Sequence, residues 1–234
     1  MFRKYKSNVI SSIFRMDKFA LYLALFIVLL NFIITTTTTS KVDNLLKSLS
    51  ISLPTLVIVY SGVYSMISLS NSSIIAMNLS VDKIVFGRHF IIYNFLVGLI
   101  LPIFLTVFIP FYIKLSLINI LMLFVLLFTL ISFYSSLFLA SMSISTIFTS
   151  NSSKMGSIIS QSITLIIGVL LSIGVNLVIS KTNVLNNILI SEYNQYFYFL
   201  LIILLTLNLI FRFIFLKNYS KRGFEMVGFE VNRL

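Results

Sequence analysis

Residues 116–139 read SLINILMLFVLLFTLISFYSSLFL. This run carries no charged side chain, and it is close to the ~20 residues that a helix needs to cross a bilayer. In lipid every backbone N–H and C=O must be satisfied internally, so a run this long and apolar has to be a helix. The other spanning structure, a β-barrel, would show short segments alternating apolar and polar. Neither Ile120–Ile131 nor Ala20–Leu30 alternates in that way.

Five further apolar stretches, at 19–37, 51–70, 89–110, 157–179 and 196–216, nearly fill the 234-residue chain. The expected fold is therefore an all-α integral membrane protein of six transmembrane helices. Mean hydropathy is +1.07, and only 10% of residues are charged, against about 25% in a soluble domain. One membrane domain, 19–216, is expected, with an interfacial segment at 1–18 and a basic cytoplasmic tail at 217–234. The absence of cysteine excludes disulfides and thiolate metal sites. The lean towards Ile, Asn, Lys, Phe and Ser is that of an AT-rich genome.

A net charge of +11 invites a nucleic-acid reading, but the distribution of the charge argues for topology. Suppose the amino terminus is cytoplasmic. Inside then fall Arg3, Lys4, Lys6, Arg15 and Lys18, Lys83 and Arg88, Lys154, and Arg212, Lys217, Lys221, Arg222 and Arg233. Outside fall only Lys41, Lys47, Lys114 and Lys181. That is the positive-inside bias of an even number of spans with both termini cytoplasmic, and nucleic acid is not an expected partner.

Within residues 1–18, Phe2, Tyr5, Val9, Ile13 and Met16 recur at helical spacing, with Lys4, Ser11, Arg15 and Lys18 on the other side. Such a helix lies in the interface with its cations towards anionic headgroups. A cleaved leader would need a shorter basic region and a small-residue cleavage site, which Thr35–Ser40 does not supply. Pro54 is tolerated in the first turn of its span. Pro102 is expected to kink the third span and Pro110 to end it. The fourth span is expected to run down to a Ser/Thr-rich loop at Ser141–Ser153. The apolar centre of the last outer segment, Val184–Ile190, is expected to dip back towards the membrane surface.

Enzyme chemistry finds little to work with. His89 is the single histidine, it has no partner motif, and an interfacial role is expected for it. No serine sits in a nucleophile elbow, no Gly-rich phosphate loop is present, and no acidic or histidine cluster offers a metal site. The six acidic residues, Asp17, Asp43, Asp82, Glu192, Glu225 and Glu230, all fall in loops or tails. An ion-coupled carrier commonly places such groups in the membrane, so it is disfavoured. Arg212 and Lys114 lie near span ends, where long side chains can snorkel to headgroups.

Two spans carry polar ridges. Ser61, Ser65, Ser68 and Ser72 recur on the second span, flanked by Tyr60 and Tyr64. On the fifth, Ser157, Gln161, Thr164, Gly168 and Ser172 repeat every three to four residues, with Asn176 one turn on. The fourth has Ser132, Ser136 and Ala140. Small and hydroxyl residues at such spacing serve close helix packing. The second reading is that the second and fifth spans line an amphipathic substrate path, and the two readings stay open together.

The loop at about 71–88 is too regular for a plain connector. It reads as a continuation of the second span, a short helix near Val81–Phe86, and re-entry. Leu79-Ser-Val-Asp-Lys83 followed by Gly87-Arg88 resembles the coupling helix of type-2 ABC exporter membrane subunits. That motif is often Leu-Pro-Val-Ser-Arg, then a few residues and Gly-Lys. Ser80 stands where the proline usually is, and the usual upstream glutamate is absent near Asn71–Ser73.

The resemblance implies a permease subunit paired with a second permease subunit, working with two copies of a separate ATPase subunit. This chain would carry no cofactor and would be no enzyme by itself, since ATP and Mg belong to the ATPase. Val81, Asp82, Lys83, Ile84, Val85, Phe86 and Arg88 would contact the ATPase. Tyr60, Ser61, Tyr64, Ser65 and Ser68, with Ser157, Gln161, Thr164 and Ser172, would line the path. The implied setting is the plasma membrane of a low-GC Gram-positive bacterium. The implied cargo is an amphipathic, cytolytic or antimicrobial peptide, as for the phenol-soluble modulin exporters. A non-transporting membrane scaffold is the alternative.

Overall fold

The computed structural model describes residues 80–111, 113–148, 154–190 and 194–223, with scattered positions between 22 and 78. The segment 1–18, most of the first span and the tail beyond Gly223 lie outside the described residues. Among the described residues all regular structure is helical. The main helices are α1 (Lys83–Gly98), α2 (Ile100–Phe108), α3 (Leu117–Phe148), α4 (Lys154–Thr182), α5 (Val184–Ile190) and α6 (Tyr196–Arg222). Upstream, the described positions from 52 to 78 are helical too, and so are the exposed Tyr22, Phe26, Leu30 and Ile33.

Three helical runs are long and apolar enough to cross a membrane: Lys83–Phe108, Leu117–Ile144 and Tyr196–Lys221. A fourth is reached if α4 and α5, bent by 46° at their junction, count as one span. Asn183 makes that bend. It takes a φ of 51°, a left-handed conformation that Asn tolerates better than most side chains. Val184, Leu185, Ile188 and Leu189 of α5 are buried, so this segment turns back onto the bundle.

The third span behaves differently from the sequence expectation at both ends. No separate short helix precedes it: α1 begins at Lys83 and runs unbroken through Gly87–Arg88. The break falls at Leu99, between α1 and α2. Pro102 has no N–H and its ring crowds the carbonyl four residues back, at Gly98, so the interruption appears one turn upstream of the proline. Near Pro110 the α-helix gives way to a 3-10 turn at Ile109–Phe111, which ends the span. The expected loop at Ser141–Ser153 is also shorter, because α3 stays helical to Phe148.

The centre of the bundle is α3, buried at every position from 129 to 143. It packs along α6 and against α4, with α1 closing another side. The outward face of α6 is apolar: Tyr198, Phe199, Ile202, Leu205, Leu209 and Phe213 are exposed, while Phe197, Leu200, Leu204, Asn208 and Phe215 are buried. Lipid tails are as apolar as leucine, so shape and small residues decide which helices meet. Phe138 of α3 illustrates this, its ring seated against both Gly62 and Gly168. A methyl on Gly62 would stand 2.6 Å from that ring.

Candidate intramembrane polar site

Three features stand out: the turn that leads into α1, the polar seam of the second span, and a half-buried arginine.

The turn is built from two caps in succession. The N–H of Ser80 donates to the Met77 carbonyl at 3.0 Å, and that of Val81 to the Ala76 carbonyl at 2.9 Å. This is the Schellman pattern, and it requires a left-handed residue at Ser80, whose φ is 51°. A proline, with φ held near −65°, cannot stand there. Asp82 then caps α1, its Oδ1 accepting from the N–H groups of Ile84 at 2.8 Å and Val85 at 3.1 Å. The loop expected over 71–88 thus contracts to a few residues between two helices.

The seven residues expected to meet an ATPase divide here. Ile84 and Val85 are 44% and 42% exposed, and Arg88 is exposed beside them. Val81 is half-buried, packed on the hydrophobic core. Lys83 turns along the bundle, its Nζ donating to the Lys221 carbonyl at 3.1 Å. Phe86 is fully buried. Its ring stacks on Phe90 and lies 5.8 Å from Tyr219, and Phe90 in turn meets Phe215. Gly87 allows this, since a Cβ there would come within 3.0 Å of the Tyr219 ring. His89 lies one turn on, with Nδ1 2.7 Å from the Val85 carbonyl, a local bond to its own helix.

The seam of the second span is buried throughout. Tyr60 donates to the Val97 carbonyl at 3.3 Å, and the Tyr64 and Tyr93 hydroxyls are 2.9 Å apart. Ser61 donates to the Val57 carbonyl at 2.6 Å, and Ser65 contacts the Ser61 carbonyl. The Ser65 and Ser135 hydroxyl oxygens lie 2.8 Å apart, joining the seam to α3, and Ser68 is buried in the same row. The fifth-span residues Ser157, Gln161, Thr164 and Ser172 lie on α4, and their side chains are outside the described residues. Two other members of that ridge face α3. Gly168 meets Phe138, and Asn176 accepts from the Tyr134 hydroxyl at 3.2 Å. The ring of Phe138 therefore stands between Gly62 of the second span and Gly168 of α4.

The third feature was not anticipated. Arg212 was expected to snorkel from a span end, yet its side chain turns into the bundle. Nη2 donates to Ser132 at 2.7 Å and Nε to Asn208 at 3.0 Å, and the guanidinium lies 5.5 Å from the centre of the Phe95 ring. Asn208 also donates to Ser132, at 2.9 Å. Two polar acceptors and an aromatic face receive the cation, and Lys217 and Lys221 lie further along the same helix. From Lys221 back to Arg212 is roughly 14 Å of helix. The sequence signal was present as Asn208 and Arg212 at i, i+4 on a lipid-spanning helix, opposite the Ser132–Ser136 row.

Beside this group lies a small cavity with room for about one water, lined by Ile91, Asn94, Ser135, Ser136, Leu139, Arg212 and Phe215. Asn94 accepts from Ser135 at 2.8 Å through Oδ1, and its Nδ2 has no partner. No family model matches the chain, and neither a curated protein nor a solved structure does.

Proposed function

We propose that the chain is the membrane subunit of an ATP-driven exporter of the type-2 ABC class. Six spans with both termini cytoplasmic would place it in a bacterial plasma membrane. The observation that supports this best is the start of α1. Asp82 caps it rigidly, and Ile84 and Val85 project from its first turn beside Arg88, forming an apolar knob with a cationic edge. Apolar side chains at the solvent end of a membrane helix find their use against a partner protein.

A push on that knob has a route inward. α1 is one uninterrupted helix, and the Phe86, Phe90, Phe215 and Tyr219 rings lock it to α6. Aromatic contacts of this kind are stiff and well defined. Phe86 thus belongs to the transmission, and docking falls to Ile84 and Val85. Two ATPase copies would drive two permease subunits, identical or different. An amphipathic peptide is the cargo best suited to a path of Tyr, Ser, Phe and Met side chains. In the conformation described here Phe138 would close that path, and the exporting cycle would have to withdraw it from between Gly62 and Gly168.

The test is copurification in mild detergent after expression with the neighbouring genes, with ATP hydrolysis assayed. A stoichiometric ATPase that Ile84→Asp loosens, with membrane insertion intact, would support the exporter. A chain that purifies alone and ignores nucleotide would refute it. The second reading, a non-transporting scaffold, is favoured by one observation: the second-span seam is spent on helix packing. It requires seam variants to lose a partner without any defect in transport.

A further inference from the structure

Asn94 of α1 is more than nine-tenths buried, and only half of its amide is engaged. Oδ1 accepts from Ser135 at 2.8 Å, whereas Nδ2 has no partner among the described residues. A buried amide nitrogen in that state is destabilising, so an acceptor is expected beside it. The side chain lines the cavity between α1, α3 and α6, which has room for about one water. Four of the seven lining residues are polar: Asn94, Ser135, Ser136 and the half-buried Arg212. Ser136 donates its proton to the Phe133 carbonyl and keeps its lone pairs to offer.

We propose that this cavity is a hydration site holding one ordered water, which accepts from Asn94 Nδ2 and donates to Ser136 Oγ, tying α1 to α3 beside Arg212. Size and chemistry both select water. A cavity lined by apolar groups alone stays dry, but a water needs about two to four polar partners, and this lining supplies them. Water also meets the amide in either orientation. With the amide turned over, Nδ2 donates to Ser135 and Oδ1 is left over, and the same water donates where it had accepted. A bridging water is enthalpically close to a direct hydrogen bond. The site therefore adds a second polar tie between α1 and α3, next to the direct one at Ser135.

The experiment is X-ray radiolysis of the full chain in an uncharged detergent, with oxidation read residue by residue by mass spectrometry. Hydroxyl radicals formed from a held water attack the side chains beside it, even where bulk water does not reach. Leu139 and Phe215 line the cavity and are 3% and 0% exposed, while Leu126, Leu127 and Phe86 are as deeply buried outside its lining. Leu139 is expected to oxidise several-fold faster than Leu126 and Leu127, and Phe215 several-fold faster than Phe86. Rates no higher than those of the matched residues would overturn the proposal.

Asn94→Leu replaces the amide by an apolar group of similar size and should bring both rates down to those of the matched residues. Ser136→Ala removes the acceptor and should lower both rates as well, which keeps the test decisive if Asn94→Leu does not fold. Undiminished oxidation in either folded variant would overturn the site, because the water would then not be held by these groups. No ATPase or transport enters the measurement, so its failure is distinct from failure of the exporter reading.

Discussion

Arg212 of α6 donates to the Ser132 hydroxyl near the middle of α3, at 2.7 Å. Ser132 accepts from Asn208 as well, so one small side chain serves two donors across the largest helix interface. Ser132→Ala leaves both donors without that acceptor, and a buried unsatisfied group costs about 1–3 kcal/mol. The expected result is a clear fall in thermal midpoint in detergent. The double variant Ser132→Ala/Arg212→Leu should lose less than the sum of the two single losses, because it removes donor and acceptor together. Strict additivity would show that the bond carries no coupling.

Phe138 fits only where its neighbours have no side chain. Gly62→Ala places a methyl 2.6 Å from the ring, and overpacking of this kind costs about 1–3 kcal/mol. Phe138→Leu in the same chain should restore part of the loss, since it vacates the notch. Unfolding midpoints of the two singles and the double check this. A Gly62→Ala chain as stable as the parent would mean that the ring can move aside at little cost.

Ser80 sits at a φ of 51° with a side chain that gains nothing from that conformation. Ser80→Gly should stabilise the turn by up to about 1 kcal/mol, by relieving the left-handed strain. Ser80→Pro should disrupt it, because the ring can adopt neither that φ nor the N–H bond to Met77. Limited proteolysis around residue 80 reports both: slower cleavage is expected for the glycine variant and faster cleavage for the proline.

Asp82→Ala removes the acceptor for two N–H groups and should cost about 0.5–2 kcal/mol. Asp82→Asn keeps a cap while losing the charge that complements the helix dipole, so its loss should be a fraction of that. Amide hydrogen exchange at Ile84 and Val85 distinguishes the two. Protection that survives in Asp82→Ala would show the cap to be dispensable.

How far the chain could be read depended on where its information is local. A run such as 116–139 must be helical whatever surrounds it, because lipid supplies no hydrogen-bond partner to the backbone. Pro102 and Pro110 act through their own rings, so interruption near both was legible, although the first break appears at Leu99. The apolar Val184–Ile190 was expected to turn back, but the left-handed Asn183 that makes the bend carries no signal of its own in the sequence.

Length was less legible. Ser141–Ser153 looked like a loop by composition, yet Ser141 and Ser143 bond back to their own helix, and Asn218 of α6 donates to Ser143 at 3.1 Å.

Which way a polar side chain faces was not legible. Ser65 and Ser68 have the same spacing whether they line a path or a packing seam. Only the arrival of Ser135 and the Tyr93 hydroxyl from other helices turns the second-span ridge inward in this conformation. Phe86 and Ile84 are equally apolar and two residues apart, but Tyr219 buries the first and leaves the second exposed. Arg212 shows this most sharply. By itself α6 makes it a long cation near a membrane edge, free to snorkel. The acceptors that draw it inward are one turn away on its own helix and 80 residues back on α3. The apolar pattern alone dictates helices in lipid, since it needs only the backbone and the solvent, whereas the direction of a charge depends on partners that folding alone brings within hydrogen-bond reach.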